Sequence, residues 1–299
     1  MHIAFVHPHK AFLPELTAYT GYFSKKGWKT STWHVTDQLP HDVTVEWRMM
    51  GTHYAARHPK RILIHEYASP SMPPFAVLKN TLKGCFNTTP DLRIFQNEYV
   101  QRSFTFKKQT PSVFRDMGIP ESWLAESPAV PPLHDFIYVG SVEKNRAIPL
   151  LLDRFTTALK THTLLIVSRD YAALQEKYRH AANIRFTGPV SPATLRELIL
   201  QAAFAINFIS PVAPFNQLTS TKFLEYAACQ RRIITTNYPW IQDFQQQYGG
   251  NYFYLDTDLE NLTWEAVNTF KYACPEDMRP FTWEQRIKQS GIENFLERF

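Results

Sequence analysis

The sequence predicts an α/β protein made of two doubly wound halves, each a parallel sheet flanked by helices. Three observations carry this. Short apolar runs alternate with segments of helical period along most of the 299 residues. The stretch between Met117 and His134 breaks that alternation with Gly118, Pro120, Pro128, Pro131 and Pro132. The length suits two domains of roughly 150 residues each.

In the first half, His2–Val6 is an apolar run that ends at Pro8, and Leu13 to Lys26 keeps helical period as far as Gly27. Ser31–Val35 and, more weakly, Val43–Trp47 read as strands. Arg61–His65 and Leu92–Phe95 read as buried strands, and a helix is expected from Glu98. Strands separated by helices of this length pair in parallel through right-handed crossovers. Proline fixes φ and removes a donor, so residues 118–133 should carry neither helix nor sheet and serve as a linker. In the second half the strands are Phe136–Val139, Leu164–Val167, Ile184–Thr187, Phe204–Phe208, Ile233–Thr236 and Tyr252–Leu255. Helices are expected at Ala147–Leu159, Tyr171–His180, Ser191–Ala202 and Thr219–Cys229. Ser191 ahead of Pro192 combines an N-cap with a proline at the first helical position. The tail Thr282–Phe299 reads as one terminal helix. The expected division is 1–117, a linker over 118–133, a second domain over 134–281, and the closing helix over 282–299.

Composition narrows the function. Lys and Arg number 32 against 27 Asp and Glu, a net charge of +5. The densest basic clusters, Phe106-Lys107-Lys108 and Arg57-His58-Pro59-Lys60-Arg61, are thin for a nucleic-acid footprint. Cys85, Cys229 and Cys274 are too few and too far apart for a zinc site or a disulfide framework, and the first residues lack a signal-peptide pattern. A cytoplasmic protein is expected. No GxxxxGK[ST], no GxSxG and no HExxH occurs, and the first strand is followed by His7-Pro8-His9-Lys10 rather than GxGxxG.

The segment Gln217–Cys229 holds the remaining chemistry. Thr219, Ser220 and Thr221 place hydroxyls and backbone N–H groups at a helix start, which attracts phosphate. Lys222 adds a full charge in the first turn. Glu225, one turn on, has two oxygens for a sugar diol. The same residues also fit a plain capped amphipathic helix.

The order of motifs in the second half resembles the C-terminal domain of GT-B glycosyltransferases, in particular the retaining GT4-like group (glycosyl transferases group 1). The matching features are Tyr138-Val139-Gly140, the Ile184–Pro192 segment with Gly188, the Lys222-x-x-Glu225-x-x-Ala228 pattern, Ile233–Thr236, and the tail from Phe281 to Arg286. The likeness covers residues 134–299 well and 1–117 only in element order. It implies two Rossmann-like domains facing across a cleft, with the C-terminal helix crossing back to the first. It implies transfer of a sugar from a nucleoside-diphosphate sugar to an acceptor hydroxyl, with retention and without a metal or other cofactor.

By that resemblance Glu225 holds the ribose. Glu225 matches the second glutamate of the family's E-x7-E motif; Gln217 stands where the family has the first, and Ser141 where it has an arginine, so the diphosphate charge passes to Lys144 and Arg146. Gly140, Ser141, Arg169, Gly188, Thr219, Ser220, Thr221 and Lys222 complete the nucleotide side. In the first domain His65, at the end of its strand, and Glu66 are expected beside the reacting sugar together with Gln217, and Pro8, His9 and Lys10 on the acceptor side. A glycan or glycolipid acceptor of bacterial surface polysaccharide assembly is implied, and the positive balance suits contact with an anionic membrane face. Two alternatives share the scaffold: a nucleotide-sugar epimerase, and a non-catalytic nucleotide-sugar or partner-binding protein, the latter favoured by Gln217.

Overall fold

The computed structural model describes residues 1–9, 13–49, 53–125, 131–143 and 146–299. They divide into two units, one of Met1–Pro120 with Pro280–Phe299 and one of Glu121–Arg279.

The first unit runs β1 (His2–His7), α1 (Pro14–Lys25), β2 (Lys29–His34), β3 (Val45–Met49), β4 (Ile62–Tyr67), α2 (Ala76–Phe86), β5 (Leu92–Phe95), α3 (Glu98–Arg102) and β6 (Ser112–Phe114). The strands pair in parallel in the order β2-β1-β3-β4-β5-β6. The weakly signalled Val43–Trp47 strand proves central: β3 lies between β1 and β4, and Trp47 is fully buried among Phe5, Tyr19 and Phe23. Polar Glu46 and Arg48 alternate with Val45 and Trp47, which dilutes the apolar signal of this strand.

The second unit runs β7 (His134–Val139), α4 (Ile148–Thr156), β8 (Leu164–Val167), α5 (Ala172–Lys177), β9 (Ile184–Thr187), α6 (Pro192–Leu200), β10 (Ala202–Asn207), α7 (Thr221–Ala228), β11 (Arg232–Thr236), α8 (Pro239–Tyr248), β12 (Phe253–Leu255) and α9 (Trp264–Thr269). Its parallel sheet has the order β12-β11-β10-β7-β8-β9. The direction of winding reverses between β7 and β10, so a crevice is expected outside their carboxyl ends. These strands are continuous apolar runs because both faces are covered; Phe136, Ile166, Phe204 and Ile234 are buried with Leu151 and Phe155 of α4.

Three expectations need correction. The tail is two helices, α10 (Trp283–Gln289) and α11 (Ile292–Leu296), separated at Gly291, whose φ of 74° interrupts the helical path. Both pack on the first unit, where Ile287, Ile292 and Leu296 join the core of Ile3, Phe5 and Trp47. The expected linker carries a 3-10 turn, Glu121–Leu124, because Trp123 buries its ring there. No helix is expected between His65 and Leu92, between Thr236 and Tyr252 or between Leu255 and Thr282, yet α2, α8 and α9 form.

Candidate functional site

The carboxyl ends of β7 and β10 open a cavity of about 250 Å³ lined by Tyr138–Ser141, Arg146, Ile206–Ile209, Phe215 and Leu218–Lys222. Of the expected nucleotide-side residues, Gly140, Ser141, Arg146, Thr219, Ser220, Thr221 and Lys222 meet here. Each comes from a different local cause. Gly140 ends β7 where a Cβ would stand 2.9 Å from the Tyr138 hydroxyl, which itself donates to the Ser141 carbonyl at 2.8 Å. Arg146 lays its guanidinium 3.7 Å from the centre of the Phe215 ring, a cation–π stack that holds the charge at the cavity wall. Burial pulls the Arg146 pKa below its ordinary value, against the opposing pull of Tyr138 and Glu143.

The helix start is shorter than the sequence suggests. Ser220 is the N-cap and Thr221 the first helical residue. The Ser220 hydroxyl accepts from the Phe223 N–H at 3.2 Å and donates to Asn207 Oδ1 at 2.6 Å, so its work is to anchor α7 to β10. The first helical N–H groups, at Thr221 and Lys222, have no acceptor within the helix and face the positive end of the dipole outward. The Val139 N–H donates to the Tyr226 hydroxyl at 3.0 Å, which pins α7 to β7 as well. The helix end is therefore held at the switch point by both strands.

Lys222 Nζ bonds both oxygens of Glu225, at 2.8 and 2.6 Å. Glu225 is 8% exposed and does not line the cavity; it reaches it through Lys222. Burial raises the Glu225 pKa, and Lys222 opposes that rise. The positive balance at the cavity is thus Arg146, Lys222 and a helix N-terminus, with one buried carboxylate behind.

Other expected residues lie elsewhere. Gln217 closes a 3-10 turn beside the cavity, Phe215–Gln217, but is not in its lining. Arg169 is exposed just beyond β8, and Gly188 follows β9, one and two strands away from β7. Lys144 and Lys10 lie outside the described residues. Pro8 and His9 follow β1; the His9 ring is 4.1 Å from His7 and 5.4 Å from His34, and burial together with those neighbours lowers the His7 pKa.

His65 is not at a strand end. β4 continues to Tyr67, because Glu66 and Tyr67 pair with Ile94 and Phe95 of β5. His65 is 0% exposed and lies 3.4 Å from both His53 Nδ1 and the Tyr67 hydroxyl. Burial, then His53, Arg48 and Arg93, lower its pKa to about 3, so the ring is neutral. Glu66 points to the opposite face. It accepts from Trp47 Nε1 at 2.8 Å, from the Tyr19 hydroxyl at 3.3 Å and from Arg115 Nη2. Arg115 also bonds the Tyr19 hydroxyl at 2.7 Å, and its pKa is raised because Glu66, Tyr19 and Glu15 outweigh the cost of burial. A group so enclosed is part of the core.

Sequence reasoning missed Asn207 and Phe215. Asn207 is 2% exposed, and its amide donates to Thr235 Oγ1 at 2.9 Å and the Tyr238 hydroxyl at 3.2 Å. A lone amide inside the apolar run Phe204–Phe208 was the available signal. Among the described residues no group of three or more His, Cys, Asp or Glu is placed to hold a metal ion.

Residues 134–267, all within the second unit, match the family model of glycosyl transferases group 1. No curated protein matches the chain by sequence. The fold is similar to that of sucrose-phosphate synthase from Thermosynechococcus elongatus, with a TM-score of 0.64 at 11% identity over 100% of this chain and 99% of that one. It is similar to Anabaena HepE solved with UDP, with a TM-score of 0.63 at 12% identity and full coverage of both chains. It is also similar to the lipopolysaccharide outer core galactosyltransferase WaaB, with a TM-score of 0.59 at 12% identity over 98% and 100%. The architecture is GT-B, and the second unit carries the match to the group 1 family model.

Proposed function

We propose that the protein moves a sugar from a nucleoside-diphosphate sugar to an acceptor hydroxyl, and that the diphosphate binds in the cavity between the ends of β7 and β10. One observation carries this reading: Arg146, Lys222 and the start of α7 converge on a cavity at the topological switch point of a glycosyltransferase domain. As the bond from the sugar to the diphosphate breaks, negative charge grows on the leaving oxygen. Fixed donors at that point stabilise the transition state more than the ground state. The Thr221 and Lys222 N–H groups, the Lys222 ammonium and the Arg146 guanidinium are those donors. The reading requires no metal, since two side-chain cations and a helix dipole meet the charge.

Lys222 has a second role. Glu225 neutralises its ammonium through both carboxylate oxygens. A diphosphate competes for the ammonium, which leaves the carboxylate oxygens available to a ribose diol. The acceptor side belongs to the first unit, with Pro8 and His9 in the loop after β1. A glycan or glycolipid acceptor and retention of configuration complete the proposal, supported by the family match and by the fold shared with WaaB.

Thermal shift with UDP, GDP and ADP sugars tests the donor site. A ligand at a hundred times its Kd stabilises by about 2.7 kcal/mol, a shift of several degrees. Lys222→Ala and Arg146→Ala should each remove most of it. If no nucleotide sugar shifts the transition at millimolar concentration, the reading fails. Turnover with added acceptor, and none without it, separates transfer from epimerisation.

A further inference from the structure

Helix α2 packs the wrong way round for a globular surface helix. Its buried residues are Asn80 and Gly84. Asn80 Oδ1 accepts from the Ser71 N–H at 2.9 Å, and Gly84 lies so close to the Thr105 carbonyl that a Cβ would sit 2.0 Å from its oxygen. The apolar residues point outward instead. Phe75 is 73% exposed, Leu78 56%, Leu82 44% and Phe86 63%. Positions 75, 78, 82 and 86 fall on one helical stripe, the pattern that ordinarily faces a core. Phe75 also holds φ at 63°, a left-handed conformation costly for a bulky residue, with its ring exposed.

The flank of this stripe is basic. Lys79 and Lys83 lie on one side of it, and Lys107 Nζ stands 5.7 Å from the centre of the Phe86 ring, with Lys108 exposed next to it. Residues 68–90 contain no Asp or Glu. A second copy of the chain docked through the same face would bring these lysines together, which disfavours a symmetric dimer here. An apolar ridge with a cationic border and, among the described residues, no acidic partner matches an anionic bilayer, whose acyl boundary takes the rings and whose headgroups take the ammonium groups.

We propose that the outward face of α2 docks the first unit on anionic membrane, with Phe75, Leu78, Leu82 and Phe86 entering the interface and Lys79, Lys107 and Lys108 binding lipid phosphate. The helix is already folded, so binding carries no cost of ordering it. This proposal does not depend on the donor reading, whose residues lie in the other unit.

Co-sedimentation of the full chain with vesicles tests it, using phosphatidylcholine with or without phosphatidylglycerol. Binding is expected only with phosphatidylglycerol and should weaken with added salt. The triple variant Leu78→Ser, Leu82→Ser, Phe86→Ser should lose at least about tenfold in partition. Lys79→Gln, Lys107→Gln, Lys108→Gln should lose about a hundredfold, near fivefold per lysine. Both should keep the wild-type Tm and any nucleotide-induced shift. Three results overturn the proposal: no binding to phosphatidylglycerol vesicles at low salt, undiminished binding by both variants, or a wild-type dimer in sedimentation velocity that the serine variant converts to monomer.

Discussion

Two buried glutamates, Glu66 and Glu225, look alike in the sequence and differ in the fold. Glu66, in β4, is 1% exposed and meets Arg115, Tyr19 and Trp47. Glu225, in α7, is 8% exposed and among the described residues is bonded by Lys222, which borders a cavity. The first has its oxygens satisfied from inside the core and nothing to offer a ligand. The second has one exchangeable partner at an opening. Burial of a carboxylate alone does not mark a site; the partner that a ligand can displace does.

The comparison can be broken in several ways. Glu66→Ala should have the largest effect, about 3–5 kcal/mol of lost stability in denaturant unfolding, because Arg115 is left buried without its counter-charge. The double variant Glu66→Leu, Arg115→Met should recover much of that loss; if it does not, the pair contributes more than mutual neutralisation.

Next in size is an acid limb. The neutral forms of His65 and His53 are favoured by burial, with pKa lowered to about 3 and about 4 from 6.5. The unfolded chain then binds more protons than the native one below pH 6.5. Stability from these rings is present in full above pH 6.5 and is lost as pH falls towards 3. His65→Gln should flatten that limb in a series of Tm measurements against pH, and an unchanged slope would place the proton elsewhere.

Lys222→Ala follows, with nucleotide-sugar affinity reduced by about tenfold or more in calorimetric titration, since a charge-assisted contact to phosphate is lost. Equal affinity in the variant would take Lys222 out of the donor site. The smallest stability effect belongs to Glu225→Gln, within about 1 kcal/mol of wild type in the same denaturant assay, because its charge is disfavoured by burial and its single pair is half-open to solvent. A loss as large as that of Glu66→Ala would erase the distinction between the two residues.

Much of the fold was legible. Strands covered on both faces are apolar runs, so Phe136–Val139, Leu164–Val167 and Phe204–Phe208 stood out without reference to neighbours. The start of α7 was legible for a related reason: Ser220, Thr221 and Lys222 carry the capping and charge signals of a helix N-terminus in adjacent positions. Helix α2 was not legible, because Pro70, Pro73 and Pro74 precede it and its apolar stripe faces away from the core. Phe215 and Asn207 were not legible as site residues, since what places them there is the approach of β10 and the loop before α7 to the end of β7.

The sequence by itself determined the two α/β halves, the helix start that lines the cavity, and the charge available there. These depend on periodicity and on neighbours within a few positions. Only the tertiary structure decided which glutamate is locked and which is exchangeable, that His65 lies within its strand, and that the stripe on α2 faces outward. Those outcomes depend on groups far apart in the chain: Arg115 is 49 positions from Glu66. No local pattern records such a pairing, because its energy arises when the distant group is brought into contact and water is excluded around both.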